Sequence, residues 1–199
     1  MPPFANVRNL LIALVIGCVG LSGLPVVAQQ ANVRVQGTVE SLDSKVLHLR
    51  GPKGREVSVA LDSETAVFIR QPSSLDAIKV GDYVASAAVK GADGKLRSKE
   101  LRIFPEALRG LGEGQRPMKA ADTLMTNASV SKVVAAPEGR VVKVEYKGGT
   151  AELIVGPEVP ITALVAADMG ALKSGAKVFI LGTKAQDGTV QAKRILTVD

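Results

Sequence analysis

The sequence predicts an all-β protein that is built from two copies of one small domain. Apolar and polar residues alternate over most of the chain, which is typical of strands with one buried face. The 199 residues are 46% hydrophobic and 22% charged, a balance that favours a folded globular chain over a disordered or fibrous one. The second half also repeats the first at a constant offset, which is typical of a duplicated domain.

The first copy shows the pattern of several short strands and one helical turn. Val33 and Val35 alternate with polar neighbours and begin the first strand. Residues 73–79 start with a serine and space their apolar side chains as a short helix does. The glycine-flanked residues 91–94 separate two apolar runs and predict a hairpin. The predicted strands are residues 33–39, 46–50, 57–61 with a continuation at 66–69, 83–89 and 96–104.

An offset of 94 residues aligns the second copy with the first. The turn Asp93-Gly94 falls on Asp187-Gly188, and apolar strand positions match at the same offset. Asp168 is the candidate cap of the second short helix. The predicted strands of this copy are residues 128–134, 141–146, 151–155 with a continuation at 161–165, 178–183 and 190–198.

Three strands, a short helix and a two-stranded hairpin are the element order of an OB-like small β-barrel. The sequence therefore predicts two tandem OB-like barrels at residues 29–104 and 127–199, each with a short helix between strands 3 and 4. A glycine-rich linker, residues 105–126, joins them, and a pair of small sandwiches is the alternative. Each copy is expected to close its own barrel around its own core. The two predicted cores are Val35, Val39, Leu47, Val59, Leu61, Val84 and Ile103, and Val133, Val142, Leu153, Val155, Val178 and Ile195.

The first 28 residues differ in character from the rest of the chain. A single charged residue, Arg8, precedes an apolar run that ends in small residues, which is the pattern of a secretory signal peptide at residues 1–28. Cleavage between Ala28 and Gln29 would release a soluble periplasmic chain without a membrane span. A membrane anchor and a lipoprotein acylated at Cys18 are the alternatives.

Several turn and strand motifs occur in both copies. The second copy has Val159 in place of Thr65 and Ala176 in place of Asp82. The motifs of the first copy are Gly37-Thr-Val39, Thr65, Lys79-Val-Gly81-Asp-Tyr-Val84, Asp93-Gly94 and Leu101-Arg-Ile103. This pattern resembles a bacterial exported domain family of unknown function that has an OB-like barrel fold. The resemblance covers nearly the whole chain after residue 28, and it implies a fold rather than an activity.

The composition argues against catalysis and nucleic-acid binding. The chain has no Trp, one His (His48) and one Cys (Cys18), which is too few for a Cys/His zinc site or a Cys–His nucleophile pair. Only 3% of residues are aromatic, whereas single-strand binding needs clustered stacking side chains. The glycines of residues 110–114 are not followed by a helix, so they predict a flexible turn. We therefore expect no catalytic residue, no cofactor and no nucleic-acid partner.

Two classes of function fit these observations. The first is a non-enzymatic periplasmic binding or adaptor protein, a monomer whose partner is an envelope protein or an anionic envelope surface, as the net charge of +6 favours. The second is a copper-type metal-handling protein associated with a transport system, with Met118, Met125 and Met169 as soft ligands. No metal-ligand set is predicted, because no His or Cys accompanies these methionines and Gln115 stands where similar proteins are expected to have a His.

The candidate partner surface has two parts. OB-like barrels bind ligands on strands 2 and 3 and on adjacent loops, where the first copy carries a basic face and the second is nearly neutral. The linker adds polar side chains that core packing does not require, and loops often carry function. Replacing Arg109 and Arg116 with Ala is expected to leave stability nearly unchanged. The surface residues are His48, Arg50 and Arg55 on the basic face, and Arg109, Glu113, Gln115 and Arg116 in the linker.

Overall fold

The computed structural model describes residues 31–198. Thirteen strands and four three-residue 3-10 turns make up the regular structure of this part, so the prediction of an all-β fold is confirmed. No helix within these residues is long and apolar enough to cross a membrane. The predicted signal peptide, its cleavage site between Ala28 and Gln29, and Cys18 lie outside the described residues.

Six strands, with a 3-10 turn between the fourth and the fifth, occur in the same order in each half of the chain. The first half contains β1 (Ala31–Asp43), β2 (Val46–Arg50), β3 (Glu56–Ala60), β4 (Ala66–Pro72), β5 (Tyr83–Lys90) and β6 (Leu96–Phe104). A short strand, β7 (Gly114–Pro117), lies between the halves. The second half contains β8 (Thr123–Ala136), β9 (Gly139–Tyr146), β10 (Gly149–Val155), β11 (Ile161–Ala167), β12 (Lys177–Lys184) and β13 (Val190–Thr197).

Strand pairing produces two closed circuits of five strands each. In the first circuit the order is β1-β2-β3-β13-β12, and β12 returns to β1. In the second circuit the order is β8-β9-β10-β6-β5, and β5 returns to β8. The two remaining long strands, β4 and β11, pair with each other in antiparallel fashion, and each also pairs with a circuit in parallel fashion. All thirteen strands thus belong to one hydrogen-bonded sheet.

The prediction that each copy closes its own barrel is wrong, because the two halves exchange their last two strands. β12 and β13 of the second half complete the circuit of β1 to β3, while β5 and β6 complete the circuit of β8 to β10. The connections fix the exchange: Gly81 N donates to Val130 O on β8, and Gly175 N donates to Val39 O on β1. The two hairpins have the same pattern, so local sequence specifies a hairpin without specifying which half it joins. Residues 29–104 and residues 127–199 therefore do not each form a unit that is closed by its own strand pairing.

The exchange regroups the predicted cores. Val39, Leu47 and Val59 pack with residues of β12 and β13 inside the first circuit. Val84 and Leu101 of the first half pack with β9 and β10 inside the second circuit. A third group, here called the central cluster, packs between the circuits and consists of Phe68, Tyr83, Ala85, Phe104, Leu108, Leu164 and Leu196. The predicted core side chains are thus packed in cores, but each of the two circuit cores draws on both halves.

The two predicted short helices are single 3-10 turns, Leu75–Ala77 and Met169–Ala171. Ser74 and Asp168 occupy the positions before these turns, but neither side chain makes a capping hydrogen bond. The chain has little room for a longer helix. Just before the first turn, Ser73 N donates to a carbonyl of β11, and just after it Lys79 N donates to the Asp82 carboxylate.

Candidate functional site

The predicted linker is an ordered part of the fold. Leu108 lies in a 3-10 turn, Glu106–Leu108, and its side chain is buried in the central cluster. Leu111 O then accepts hydrogen bonds from Asn127 Nδ2 at 2.8 Å and from the Tyr83 hydroxyl at 3.3 Å. Strand β7 follows and pairs with the start of β8. The segment from residue 105 to residue 117 is therefore fastened to the second circuit along its length.

Arg109 is the main polar clamp of this segment. Its Nε lies 2.7 Å from a Glu106 carboxylate oxygen, and its Nη2 donates to Gly81 O at 2.9 Å. Its Nη1 donates to Ser129 Oγ at 3.2 Å, and its guanidinium lies 6.0 Å from the centre of the Tyr83 ring. The hydrogen bond to Arg109 lowers the pKa of the Glu106 carboxyl. Arg109 thus ties the segment to β5 and β8, and it is less available for a partner than the sequence suggested.

Replacing Arg109 with Ala is expected to lower the thermal unfolding midpoint by a small, measurable amount. The change removes charge-assisted hydrogen bonds to Gly81 O and Ser129 Oγ, which join three parts of the chain. The expectation of unchanged stability therefore applies to Arg116 alone, whose Nη1 bonds only to Gly112 O, at 2.8 Å. Differential scanning calorimetry of the two single variants makes the comparison. Equal midpoints for both variants would show that Arg109 is not a clamp.

The other three predicted linker residues lie close together on or beside β7. Glu113 Oε1 accepts a hydrogen bond from Lys147 N at 2.9 Å, which fastens it to the β9–β10 turn. Gln115 Nε2 donates to Thr126 Oγ1 at 3.0 Å. Gln115 and Arg116 are both exposed to solvent. The structure therefore brings Glu113, Gln115 and Arg116 together on one side of the second circuit.

Strand β7 has an open edge. It pairs with β8 alone, whereas every other strand of residues 31–198 has at least two partners, although β1 pairs with β12 along its first half and with β2 along its second. An open edge presents unpaired backbone N–H and C=O groups, which can add a strand from another chain. The edge is short and ends at Pro117, a residue that cannot donate a backbone hydrogen bond. These features limit indiscriminate pairing and leave room for a specific partner.

A cleft of about 410 Å³ opens beside β7. Its walls come from both halves of the chain: the β5–β6 hairpin on one side, β9 and β10 on the other. Lys90 and Lys95 place positive charge at its rim, and Gln115 joins it to the open edge of β7. The lining residues are Lys90, Gly94, Lys95, Leu96, Gln115, Leu124, Val141, Thr150, Ala151, Glu152 and Ile154. The sequence analysis missed all of these except Gln115, because the exchange of strands assembles the cleft.

The basic face of the first copy lies on the other circuit. His48 Nδ1 is 3.2 Å from Ser58 Oγ, and its Nε2 is 3.4 Å from an Asp43 carboxylate oxygen. Arg50 Nη2 lies 2.5 Å from a Glu40 carboxylate oxygen, so this arginine is neutralised. Arg55 is exposed between β2 and β3. No hydrogen bond or ion pair in the described chain joins these residues to the linker group, so the predicted surface divides into two separate parts.

Tyr83 has the largest pKa shift near the linker segment. Burial raises the pKa of its hydroxyl to about 12, and the charge of Glu113 adds to the increase. The positive charges of Arg116 and Arg109 act in the opposite direction. The ring also packs edge to face against Phe104, with ring centres 5.7 Å apart. Tyr83 is therefore a neutral anchor of the central cluster at physiological pH, rather than an acid or a base.

The three candidate metal ligands do not converge. Met118 is exposed, Met125 packs against the central cluster, and Met169 packs against the core of the first circuit. Among residues 31–198 there is also no group of three or more His, Cys, Asp or Glu side chains that could hold a metal ion. Metal handling stays a prediction, and the copper, nickel and zinc content of the purified protein tests it.

Residues 31–198 thus form an all-β fold that has an open edge at β7 and a cleft beside this strand. Residues 36–101 match the model of a family described as a domain of unknown function (DUF5666). The match begins within β1 and ends within β6, so it covers the strands of the first half. No curated protein and no solved structure matches the chain. The match agrees with the resemblance to an uncharacterised family that the sequence motifs indicated.

Proposed function

We propose that this protein is a non-enzymatic binding module of the bacterial envelope, built from two tandem copies that exchange strands to form two OB-like barrels. One observation carries the proposal: a cleft of about 410 Å³ opens beside β7, the one described strand that has a single pairing partner. Ligand sites are concave and mostly apolar, with a few polar groups that fix orientation. This cleft is concave and combines apolar with polar and charged side chains in nearly equal measure, and the fastened linker segment holds one of its walls in place.

The position of the cleft supports the comparison with OB-like barrels. Such barrels bind ligands on the face of strands 2 and 3 and on the loop between strands 4 and 5. Counted along the second circuit, strands 2 and 3 are β9 and β10, and the loop between strands 4 and 5 is the β5–β6 hairpin. The cleft lies between these elements. It therefore occupies the position that the proposed fold uses for binding.

The chemistry of the cleft favours a peptide segment of an envelope protein as the partner. Leu96, Leu124 and Ile154 provide apolar surface, while Lys90 and Lys95 provide positive charge at the rim. An apolar side chain next to an acidic one matches this arrangement. The free edge of β7 adds backbone donors and acceptors for an extended peptide. Periplasmic export is part of this proposal, and N-terminal sequencing of the exported chain tests whether it begins at Gln29.

A photo-cross-linking amino acid at Gln115 tests the proposal in living cells. We expect a discrete adduct with one envelope protein from this position, and none from the same amino acid at Glu56, which is exposed on the first circuit. Adding K90E and K95E to the Gln115 probe should abolish the adduct. The pair K79E and K173E makes the same charge change at exposed positions outside the cleft and should leave the adduct intact. Adducts of equal yield from Gln115 and Glu56, or adducts that survive K90E and K95E, would refute the proposal.

A further inference from the structure

Two arginines with buried, unpaired nitrogen atoms lie on either side of β11. Arg70 is on β4 and Arg102 is on β6, and β11 pairs with both of these strands. The Nε atom of each guanidinium is buried and has no hydrogen-bond partner. Buried polar atoms are nearly always hydrogen-bonded, and a buried charge without a partner is costly. The described residues therefore supply no hydrogen-bond acceptor for either Nε atom.

The strand register places both side chains on one face of the sheet. Arg70 lies opposite Leu164, and Arg102 lies opposite Thr162, two positions earlier on β11. Residues two apart on a strand project to the same face. Phe68 and Phe104, each two residues from one of the arginines, both belong to the central cluster. The arginines therefore share this face of the sheet with Thr162, at the margin of that cluster.

The charge of the pair is incompletely balanced. The Arg102 side chain is only 21% exposed, and the one acid near it, Glu100, has its carboxylate 3.7 Å from Arg102 Nη2. Burial lowers the pKa of Arg102, and the positive charge of Arg70 lowers it further, while Glu100 opposes both effects. No carboxylate of the described residues forms an ion pair with Arg70, whose backbone N–H donates to Thr197 Oγ1 at 3.1 Å. Of the two neighbouring guanidinium groups, only that of Arg102 thus has a carboxylate partner among the described residues.

We propose that Arg70, Arg102 and Thr162 form a site for a tetrahedral oxyanion of the phosphate or sulfate class. A guanidinium group presents its N–H donors as a planar fork that matches two oxygens of such an anion. Four oxygens allow the anion to face both guanidinium groups and still accept a hydrogen bond from the Thr162 hydroxyl. The anion would satisfy the buried nitrogen atoms and reduce the repulsion between the arginines. This site lies between the circuits and is separate from the cleft proposed for the peptide partner.

The thermal midpoint of the purified full chain in different salts tests this site. A ligand that binds only the folded state raises the midpoint by mass action. We expect sodium phosphate and sodium sulfate to raise it above its value in sodium chloride of equal ionic strength. R70Q and R102Q should each weaken the binding by about tenfold or more, because each removes charge-assisted hydrogen bonds. The same substitution at the exposed Arg34 of β1 is the matched control and should keep wild-type binding.

A second measurement keeps the test decisive if either variant fails to fold. In the wild-type protein, added phosphate should shift the Nε–Hε NMR signals of two arginines and leave the other arginine signals in place. The proposal is overturned if phosphate shifts no signal and raises no midpoint, or if R34Q lowers the affinity as much as R70Q and R102Q do.

Vesicles identify the source of the oxyanion. Phosphatidylcholine vesicles are prepared with and without phosphatidylglycerol and mixed with wild-type protein, R70Q and R102Q. Binding that requires phosphatidylglycerol and is lost in both variants assigns the site to a lipid headgroup. A response to inorganic phosphate without vesicle binding assigns it to a free anion. A lack of response to both inorganic phosphate and phosphatidylglycerol excludes the site.

Discussion

Residues 29–104 produced alone will not form a stable folded monomer. Their strands β1 to β3 lack β12 and β13, and their β5–β6 hairpin lacks β8 to β10, so neither circuit can close. Both circuit cores would be exposed to water, since each draws on both halves of the chain. Circular dichroism and light scattering should show an unfolded chain or an associated one. The truncation should remove the whole free energy of unfolding, which is typically about 5–15 kcal/mol for a domain.

Complementation provides the control for this prediction. Residues 29–104 and 105–199 produced together should assemble as a one-to-one complex with the circular dichroism spectrum of the intact chain. A monomer of residues 29–104 that unfolds in one sharp transition would contradict the prediction, because it would mean that β5 and β6 can close the circuit of their own half.

Replacing Gly139 with Ala is expected to destabilise the protein by about 2–5 kcal/mol. Gly139 begins β9 with a φ of 122°, a conformation that residues with a Cβ rarely adopt. A Cβ there would lie 2.3 Å from Val155 O and 2.9 Å from Gly156 Cα, both of which are backbone atoms that cannot rotate away. The β9–β10 pairing would have to shift, and with it one wall of the cleft. Urea unfolding of the variant measures the change in free energy.

Gly148 provides a matched control for the same substitution. It also has a positive φ, of 100°, but no atom lies within 4 Å of where its Cβ would be. G148A should therefore cost only the backbone strain, about 1–2 kcal/mol. Equal losses for G139A and G148A would show that the close approach at Gly139 does not constrain the fold.

The sequence predicted the strands well because alternation is a local signal. Leu47 and Leu49 are buried on β2 while His48 between them is partly exposed, as their spacing indicates. The turn at Asp93-Gly94 also formed where the glycine predicted it, with Gly94 at a positive φ. The choice of pairing partner for each strand, in contrast, does not follow from local sequence. Val35 is paired with Ile180 across the two halves, and the alternation within either strand does not say whether a strand pairs within its own half or with the other.

The candidate site was predicted in part for the same reason. Gln115 stood out because it is polar, in a glycine-rich segment with no strand period, and it does line the cleft. Lys90 and Thr150 line the same cleft but lie in different halves, so only the strand pairing brings them together. The contacts of Arg109 could not be predicted either, since Gly81 and Ser129 are distant from it in the sequence.

An engineered disulfide between β1 and β12 tests the exchange of strands most directly. Asn32 is directly opposite Thr183 in the antiparallel pair, a geometry that brings the Cα atoms within disulfide range. Residues 29–199 contain no cysteine, so in protein that begins at Gln29 the two introduced cysteines are the only thiols of the chain. The pair N32C and T183C should oxidise rapidly in the folded monomer and raise its thermal midpoint. At the offset of 94, Thr183 corresponds to Val89, which would lie opposite Asn32 if the first half closed its own circuit. A disulfide that forms in the variant with N32C and V89C, but not in the variant with N32C and T183C, would contradict the exchange.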